Sequence, residues 1–271
     1  MKIGIVGGGE IARLFLEHGA RGGLGQARVV AIAGRDGRSR GSALAERYGV
    51  PFVLGVDGLL AAQPDVVVEA ASHDAVREYG PPVLERGIAF IVLSGGALCD
   101  DALRGRLEAA AARSQTMLYV PSGGIGGLDA LKAACVAGVD SVEIAVTKPP
   151  HAWKNIAYVE RLGLDLDRLE SAVTLFEGTA REGVPHFPAN VNIAAVLSMA
   201  GVGFDRTRLK VVADPALTLN THYVTIRGKS GTIALKFQSV PFPDNPKTAM
   251  LAAYSALAAF RQYTSHVRYG T

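Results

Sequence analysis

Short apolar runs and helical repeats alternate along the first half of the chain. Lys2 to Val6 is an apolar run that meets Gly7-Gly8-Gly9 and passes into Glu10 to Leu16, where apolar residues recur at helical spacing. That pattern predicts strand, tight turn and helix. Arg28 to Ala33 predicts a second buried strand, Ser42 to Tyr48 a helix, Phe52 to Leu54 a short strand and Gly58 to Ala62 a helical turn. Asp65 to Ala70 reads as a buried parallel strand running into a helix that Ser72 can cap. Ile88 to Leu93, the small-residue loop Ser94 to Leu98, the helix Asp100 to Arg113 and the strand Thr116 to Val120 continue the alternation. Six strands alternating with helices predict a Rossmann-type α/β domain, a doubly wound parallel sheet with its ligand at the carboxyl ends of the strands.

The pattern changes at Pro121 to Gly127, a glycine-dense turn that either lets backbone approach a flat ligand or marks a domain crossing. A helix follows over Leu128 to Ala137, then a strand over Ser141 to Thr147, a charged region to Glu170, a strand-like run over Ala172 to Phe176 and a helix from Asn190 to Ala200. Lys210 to Ala213, Thr218 to Arg227 and Thr232 to Ser239 read as adjacent antiparallel strands. Asn245-Pro246-Lys247-Thr248 is expected to open a long helix, Ala249 to Tyr263, apolar round most of its circumference and therefore buried against the first domain. The expected boundaries are a dinucleotide-binding domain over 1–122, joined by the returning segment 246–271, and a second α+β domain over 123–245.

Composition narrows the class. At 271 residues two domains are the better expectation. With 49% hydrophobic and 20% charged residues and no apolar run of membrane length, the composition is that of a soluble globular protein. A first strand starting at Lys2 leaves no room for a signal peptide. Cys99 and Cys135 lie far apart with no metal-ligand spacing, so a reducing cytoplasm and no metal are expected. The net charge of +3 is spread without a basic run, which argues against nucleic acid as a partner. Gly228-Lys229-Ser230 resembles the tail of a phosphate loop, but Tyr223 stands where that loop needs its first glycine, so a triphosphatase is rejected.

The candidate chemistry starts at the first turn. Gly7, Gly9 and Ala12 occupy the small-residue positions of G-x-G-x-x-G/A, and the helix beginning at Glu10 and Ile11 offers free N–H groups to a diphosphate. At the end of the second strand, where a ribose is read, stand Gly34 and Arg35 with Arg38, Ser39 and Arg40 behind; Asp36 comes two places late. NADP is therefore expected over NAD. Ala71 and the Ser94 loop would converge on the same ligand. Asn190 is either a helix N-cap or an amide donor to a ligand. His222 lies in a strand of alternating faces, where a lone histidine is either structural or, with an unperturbed pKa of about 6.5, an acid–base catalyst. His18 lies in a helix of the cofactor domain, His73 at a helix start, His151 and His186 in loops and His266 in the tail. Lys148 and Lys247 are either carboxylate ligands or ordinary surface lysines.

Several of these runs recur together in one family. Glu69-Ala70-Ala71-Ser72, Gly95-Gly96-Ala97-Leu98, Pro121-Ser122-Gly123-Gly124-Ile125-Gly126-Gly127-Leu128-Asp129-Ala130-Leu131, Thr147-Lys148-Pro149-Pro150, Phe187-Pro188-Ala189-Asn190-Val191-Asn192, Ala213-Asp214-Pro215, Asn220-Thr221-His222 and Asn245-Pro246-Lys247-Thr248 resemble the L-aspartate dehydrogenase family over nearly the whole chain. The resemblance implies NAD- or NADP-dependent oxidation of the L-aspartate amine, through iminoaspartate to oxaloacetate and ammonia, in a homodimer. It makes His222 the active-site residue and Asn190 and Gly124 cofactor contacts. Lys148, Asn192, Asn220, Lys247 and Thr248 are the expected substrate contacts. Two positions depart from the family pattern: members usually carry alanine where Gly124 stands, and many carry aspartate near Gly34. The alternatives are a reductase of another small dicarboxylate or imine, and a cofactor-binding regulator without turnover.

Overall fold

The computed structural model describes residues 1–188, 190–242, 245–267 and 269, with 245–248 described by their backbone alone. The chain divides into two compact units, Met1–Pro121 with Ala253–Val267, and Ser122–Ala252.

In the first unit β1 (Lys2–Val6), α1 (Glu10–Ala20), β2 (Arg28–Gly34), α2 (Arg40–Tyr48), β3 (Phe52–Leu54), α3 (Gly55–Ala61), β4 (Val66–Glu69), α4 (His73–Glu85), β5 (Ala89–Val92), α5 (Asp101–Arg113) and β6 (Leu118–Tyr119) alternate. The strands form one six-stranded sheet in the order β3-β2-β1-β4-β5-β6, with parallel pairing throughout. Strands covered on both faces must be apolar throughout, and β4 and β5 bury every residue. Polar side chains start the helices instead: Ser39 Oγ accepts from the Ser42 N–H, Ser72 Oγ from Ala75 and Asp100 Oδ1 from Ala102 and Leu103. Strand order reverses between β1 and β4, which places the ligand crevice of such a sheet beside the Gly7–Gly9 turn.

The second unit holds α6 (Leu128–Ala137), β7 (Val139–Lys148), α7 (Ala157–Glu160), β8 (Val173–Thr179), α8 (Ala180–Gly183), α9 (Asn192–Ala200), β9 (Thr207–Ala213), β10 (Asn220–Gly228), β11 (Gly231–Ser239), β12 (Pro241–Phe242) and β13 (Asn245–Ala249). Its five-stranded sheet runs β11-β10-β7-β9-β8. The three late strands are thus no simple meander: β10 and β11 form a hairpin, but β9 is separated from them by β7, which it joins in parallel. Hydrophobic alternation marks strands and their buried faces and carries no information on which strand is the neighbour. Gly228-Lys229-Ser230-Gly231 is the hairpin turn, with Gly231 at φ +112°.

Asn245–Ala249 corrects another expectation. It is a strand paired with β12 rather than the opening of a helix, and α10 (Met250–Thr264) begins after it. Pro246 cannot donate in a helix or a ladder, and an edge strand tolerates it. The side chains of Lys247 and Thr248 lie outside the described residues. Nor is α10 buried all round, since Leu251 and Tyr254 are exposed while Ala253, Ala256, Leu257, Ala259 and Phe260 are covered. Within the first unit Phe260 meets Phe15 edge-on with ring centroids 5.9 Å apart, and the Tyr119 hydroxyl donates to Gln262 Oε1. Phe260→Ala is expected to cost about 3–5 kcal/mol of unfolding free energy, read by urea titration, because it empties a site packed against α1.

Candidate active site

The first unit contributes a cleft of about 530 Å³ at the carboxyl ends of β1, β2 and β4. Its floor is the glycine turn. Gly7 has φ +102°, and a Cβ there would lie 2.7 Å from the Ala70 carbonyl oxygen. A Cβ on Gly8 would lie 2.1 Å from Gly41 Cα, whereas one on Gly9 would meet nothing within 4 Å. The chain is therefore closed behind the turn and open in front of it. Gly9 caps α1 without a side chain, leaving the first helical N–H groups to a ligand. Arg35, Ser39, Arg40 and Ala71 also line the cleft. Glu10 and Ile11 do not; the Glu10 carboxylate is paired with Arg13 at 2.6 Å. Asp36 Oδ1 accepts from the Arg38 N–H within its own turn, and a Cβ at Gly34 would lie 2.7 Å from the Phe52 ring. Phe52 thus occupies the space of a side chain at position 34. A closed turn, an open helix N-terminus and ribose-reading positions at the end of β2 fit a dinucleotide.

Sequence reading passed over the role of Glu69. This carboxylate is fully buried at the end of β4, where Oε1 accepts from the Ala71 and Ser72 N–H groups at 2.8 and 3.0 Å and from Ser94 Oγ at 2.9 Å, and Oε2 accepts from the Ser94 N–H at 3.0 Å. Burial raises its pKa, with those four donors pulling the other way. It ties the Ala71 turn to the Ser94 loop. A lone acid closing an all-apolar strand was the available signal.

The second unit gathers its polar residues at one end of its sheet. Val142, Ile144, Val146 and Lys148 of β7 share a face with His222, Val224 and Ile226 of β10, and His222 stands opposite Val146. His222 and Lys148 are diagonal neighbours on that face, 4% and 5% exposed. His222 Nδ1 is buried without a hydrogen-bond partner. The Lys148 ammonium donates to Asn190 Oδ1 at 2.9 Å and lies 4.9 Å from the centre of the Trp153 ring, itself held by a bond from Nε1 to the Val212 carbonyl. Among the described residues no carboxylate pairs with Lys148. Burial lowers its pKa to about 8. His222 falls to about 3, through burial first and the Lys148 charge second, slightly opposed by a backbone bond at Thr221.

Asn190 is not an N-cap, because α9 starts two residues later and Val191 occupies that position. Its amide oxygen faces an ammonium that can only donate, so Nδ2 is the end left for a ligand. Gly124 is buried in the turn before α6, where an added Cβ would lie 3.7 Å from Ile193. Alanine would fit there in ordinary contact, so this departure from the family pattern is sterically neutral. Asn192 and Asn220 are half-buried at the starts of α9 and β10. Among the described residues no cluster of His, Cys, Asp and Glu could hold a metal, and no helix is long and apolar enough to cross a membrane.

A nucleotide cleft in one unit and a buried histidine–lysine pair on a mixed sheet in the other define the class of two-domain nicotinamide-dependent dehydrogenases. Residues 3–121 match the family model described as homoserine dehydrogenase, NAD binding domain, and residues 129–263 match aspartate dehydrogenase, C-terminal. The chain is 39% identical to an L-aspartate dehydrogenase of Methanosarcina mazei over the whole of both chains, and 43% identical to L-aspartate dehydrogenase 2 of Bordetella pertussis over 82% of each. The crystal structure of aspartate dehydrogenase from Thermotoga maritima matches all of this chain and 99% of its own with a TM-score of 0.76 at 29% identity. The chain belongs to the aspartate dehydrogenase family.

The depressed pKa of His222 has a stability consequence. An unfolded histidine binds a proton below about 6.5 and the folded one does not until about 3. Stability is therefore lost as pH falls across that window. In urea titrations between pH 7 and 4, His222→Asn is expected to lose less stability than the parent; equal losses would show that His222 is not buried neutral.

Proposed function

We propose that the chain catalyses the NAD(P)-dependent oxidative deamination of L-aspartate, reversibly, with His222 as general acid and base. The single observation that carries the catalytic assignment is His222 Nδ1, a buried ring nitrogen with no hydrogen-bond partner among the described residues. In the first unit the Gly7–Gly9 turn and the N-terminus of α1 hold the diphosphate, and Ala71 borders the same cleft. Bound there, the nicotinamide cofactor supplies the hydride acceptor. The family resemblance makes Gly124 and Asn190 cofactor contacts as well.

The substrate's ammonium must lose a proton before its nitrogen can share a lone pair with Cα, and His222 Nδ1 takes that proton. The Cα–H then leaves as hydride while the C=N bond forms. The imidazolium then gives its proton to solvent, and the freed His222 takes a proton from the water that adds to the imine carbon and passes it to the nitrogen, which departs as ammonia and leaves oxaloacetate. Arg35, with Ser39 and Arg40 beside it, is the set that reads a 2′-phosphate, since Phe52 fills the space of an acid at position 34. NADP is the preferred cofactor on this reading. The family resemblance further supports a homodimer working in the cytoplasm, and light scattering after size exclusion tests the dimer.

Absorbance at 340 nm with L-aspartate and either cofactor tests the reaction, with D-aspartate and L-glutamate as controls; no rise with L-aspartate would overturn it. His222→Ala is expected to cut kcat by about 10²–10⁴ while cofactor binding is retained, and an unchanged kcat would remove His222 from the chemistry. Arg35→Ala is expected to raise KM for NADP about tenfold and leave KM for NAD within about twofold, as one charge-assisted contact to phosphate is lost.

A further inference from the structure

Lys148, one of the expected substrate contacts, is a buried cation. Its ammonium is 5% exposed, and its visible partners are an amide oxygen and an aromatic face, both neutral. A buried cation keeps its charge cheaply only beside an anion. Three donors sit on Nζ and one is used by Asn190. The remaining ones mark a place for an anion that the described chain does not supply.

The surroundings of His222 make the Lys148 charge consequential. On the flanking strands its neighbours are Val146 and Phe237, and on its own strand Asn220 and Val224 share its face. From α6, which packs against β10, the buried residues are Leu131 and Ala134, while Asp129 and Lys132 are exposed. Lys148 is therefore the charged group whose field reaches the imidazole. Burial is the first cause of the histidine's resistance to protonation, and the Lys148 charge, the second, is the one that a ligand can change.

We propose that Lys148 is the receptor for one carboxylate of the substrate, and that the arriving carboxylate, by cancelling the Lys148 charge beside His222, turns that histidine into a working base. This rests on the reading of the substrate as a dicarboxylic amino acid. The step is electrostatic: the carboxylate pairs with Nζ, no covalent bond changes, and only then does the substrate's ammonium proton pass to Nδ1. A monocarboxylic amino acid could not both occupy Lys148 and keep a second carboxylate for further contacts, so the device also favours a dicarboxylate.

The experiment follows the His222 ¹³Cε1–¹H signal by NMR between pH 3.5 and 8 in protein saturated with oxidised cofactor, the signal being assigned by its loss in His222→Asn. Without succinate the signal is expected to keep its neutral position down to pH 3.5, and saturating succinate, a dicarboxylate without an amine, is expected to bring the midpoint up into the window, by at least about one pH unit. In Lys148→Met the midpoint is expected to be already raised, with succinate adding nothing, and KM for L-aspartate to rise about 100-fold. A midpoint that succinate leaves unmoved in the parent protein overturns the proposal without reliance on any variant. So does an equal shift in Lys148→Met. A succinate shift in protein that does not oxidise L-aspartate would uphold the carboxylate receptor and reject aspartate as its substrate; turnover of L-aspartate with no shift would do the reverse.

Discussion

The second unit is organised around the cost of burying one ammonium group. Removing a lysine charge from water without a counter-ion costs several kcal/mol even after local relaxation. The chain lessens that cost with specific neighbours: Asn190 Oδ1 accepts from Nζ, and the face of Trp153 lies 4.9 Å away. Each neighbour needs its own support. Trp153 is fixed by its bond to the Val212 carbonyl and by an edge-on contact with Phe187, 5.7 Å between centroids. Phe187 in turn accepts backbone bonds from Asn190 and Val191, which sets where α9 begins. The turn after β7 and the approach to α9 are thus shaped by the need to surround Lys148.

Glu69 shows the opposite solution to the same difficulty. It is as deeply buried as Lys148, but three backbone N–H groups and a hydroxyl converge on its two oxygens. A carboxylate so surrounded has no capacity left for a ligand, and its effect is mechanical: it fixes the Ala71 turn against the Ser94 loop. Lys148 retains donors and His222 retains an acceptor. Saturation of hydrogen-bonding capacity separates a buried charge that shapes a site from one that serves it.

Much of this was legible in the chain, for identifiable reasons. The parallel sheet and glycine turn follow from local periodicity and small residues at fixed offsets, because a strand, a turn and a helix within twenty residues are determined by neighbours in sequence. The position of β9 across β7 was not legible, since pairing between distant strands leaves no local trace. The same holds for Lys148. In sequence it is one more lysine before two prolines, as plausible on the surface as in a site, and only the fold places Trp153, Asn190 and His222 around it. Asn245–Ala249 misled because an asparagine–proline pair ahead of an alanine-rich run is a helix-start signal that a short edge strand also satisfies.

The pairing of a depressed histidine with an unpaired lysine also orders the events of turnover. A substrate that approached ammonium first would bring a positive charge toward Lys148 and be repelled. On the proposed reading, one that approaches carboxylate first is attracted, and its arrival cancels the Lys148 charge, the second cause of the depressed histidine after burial. At neutral pH a histidine with a pKa near 3 carries no proton taken from bulk water, so its acceptor site is empty when substrate arrives. The proton it then receives must come from a group inside the site. On the proposed reading the substrate's own ammonium is that group, delivered by the molecule whose carboxylate pairs with Lys148.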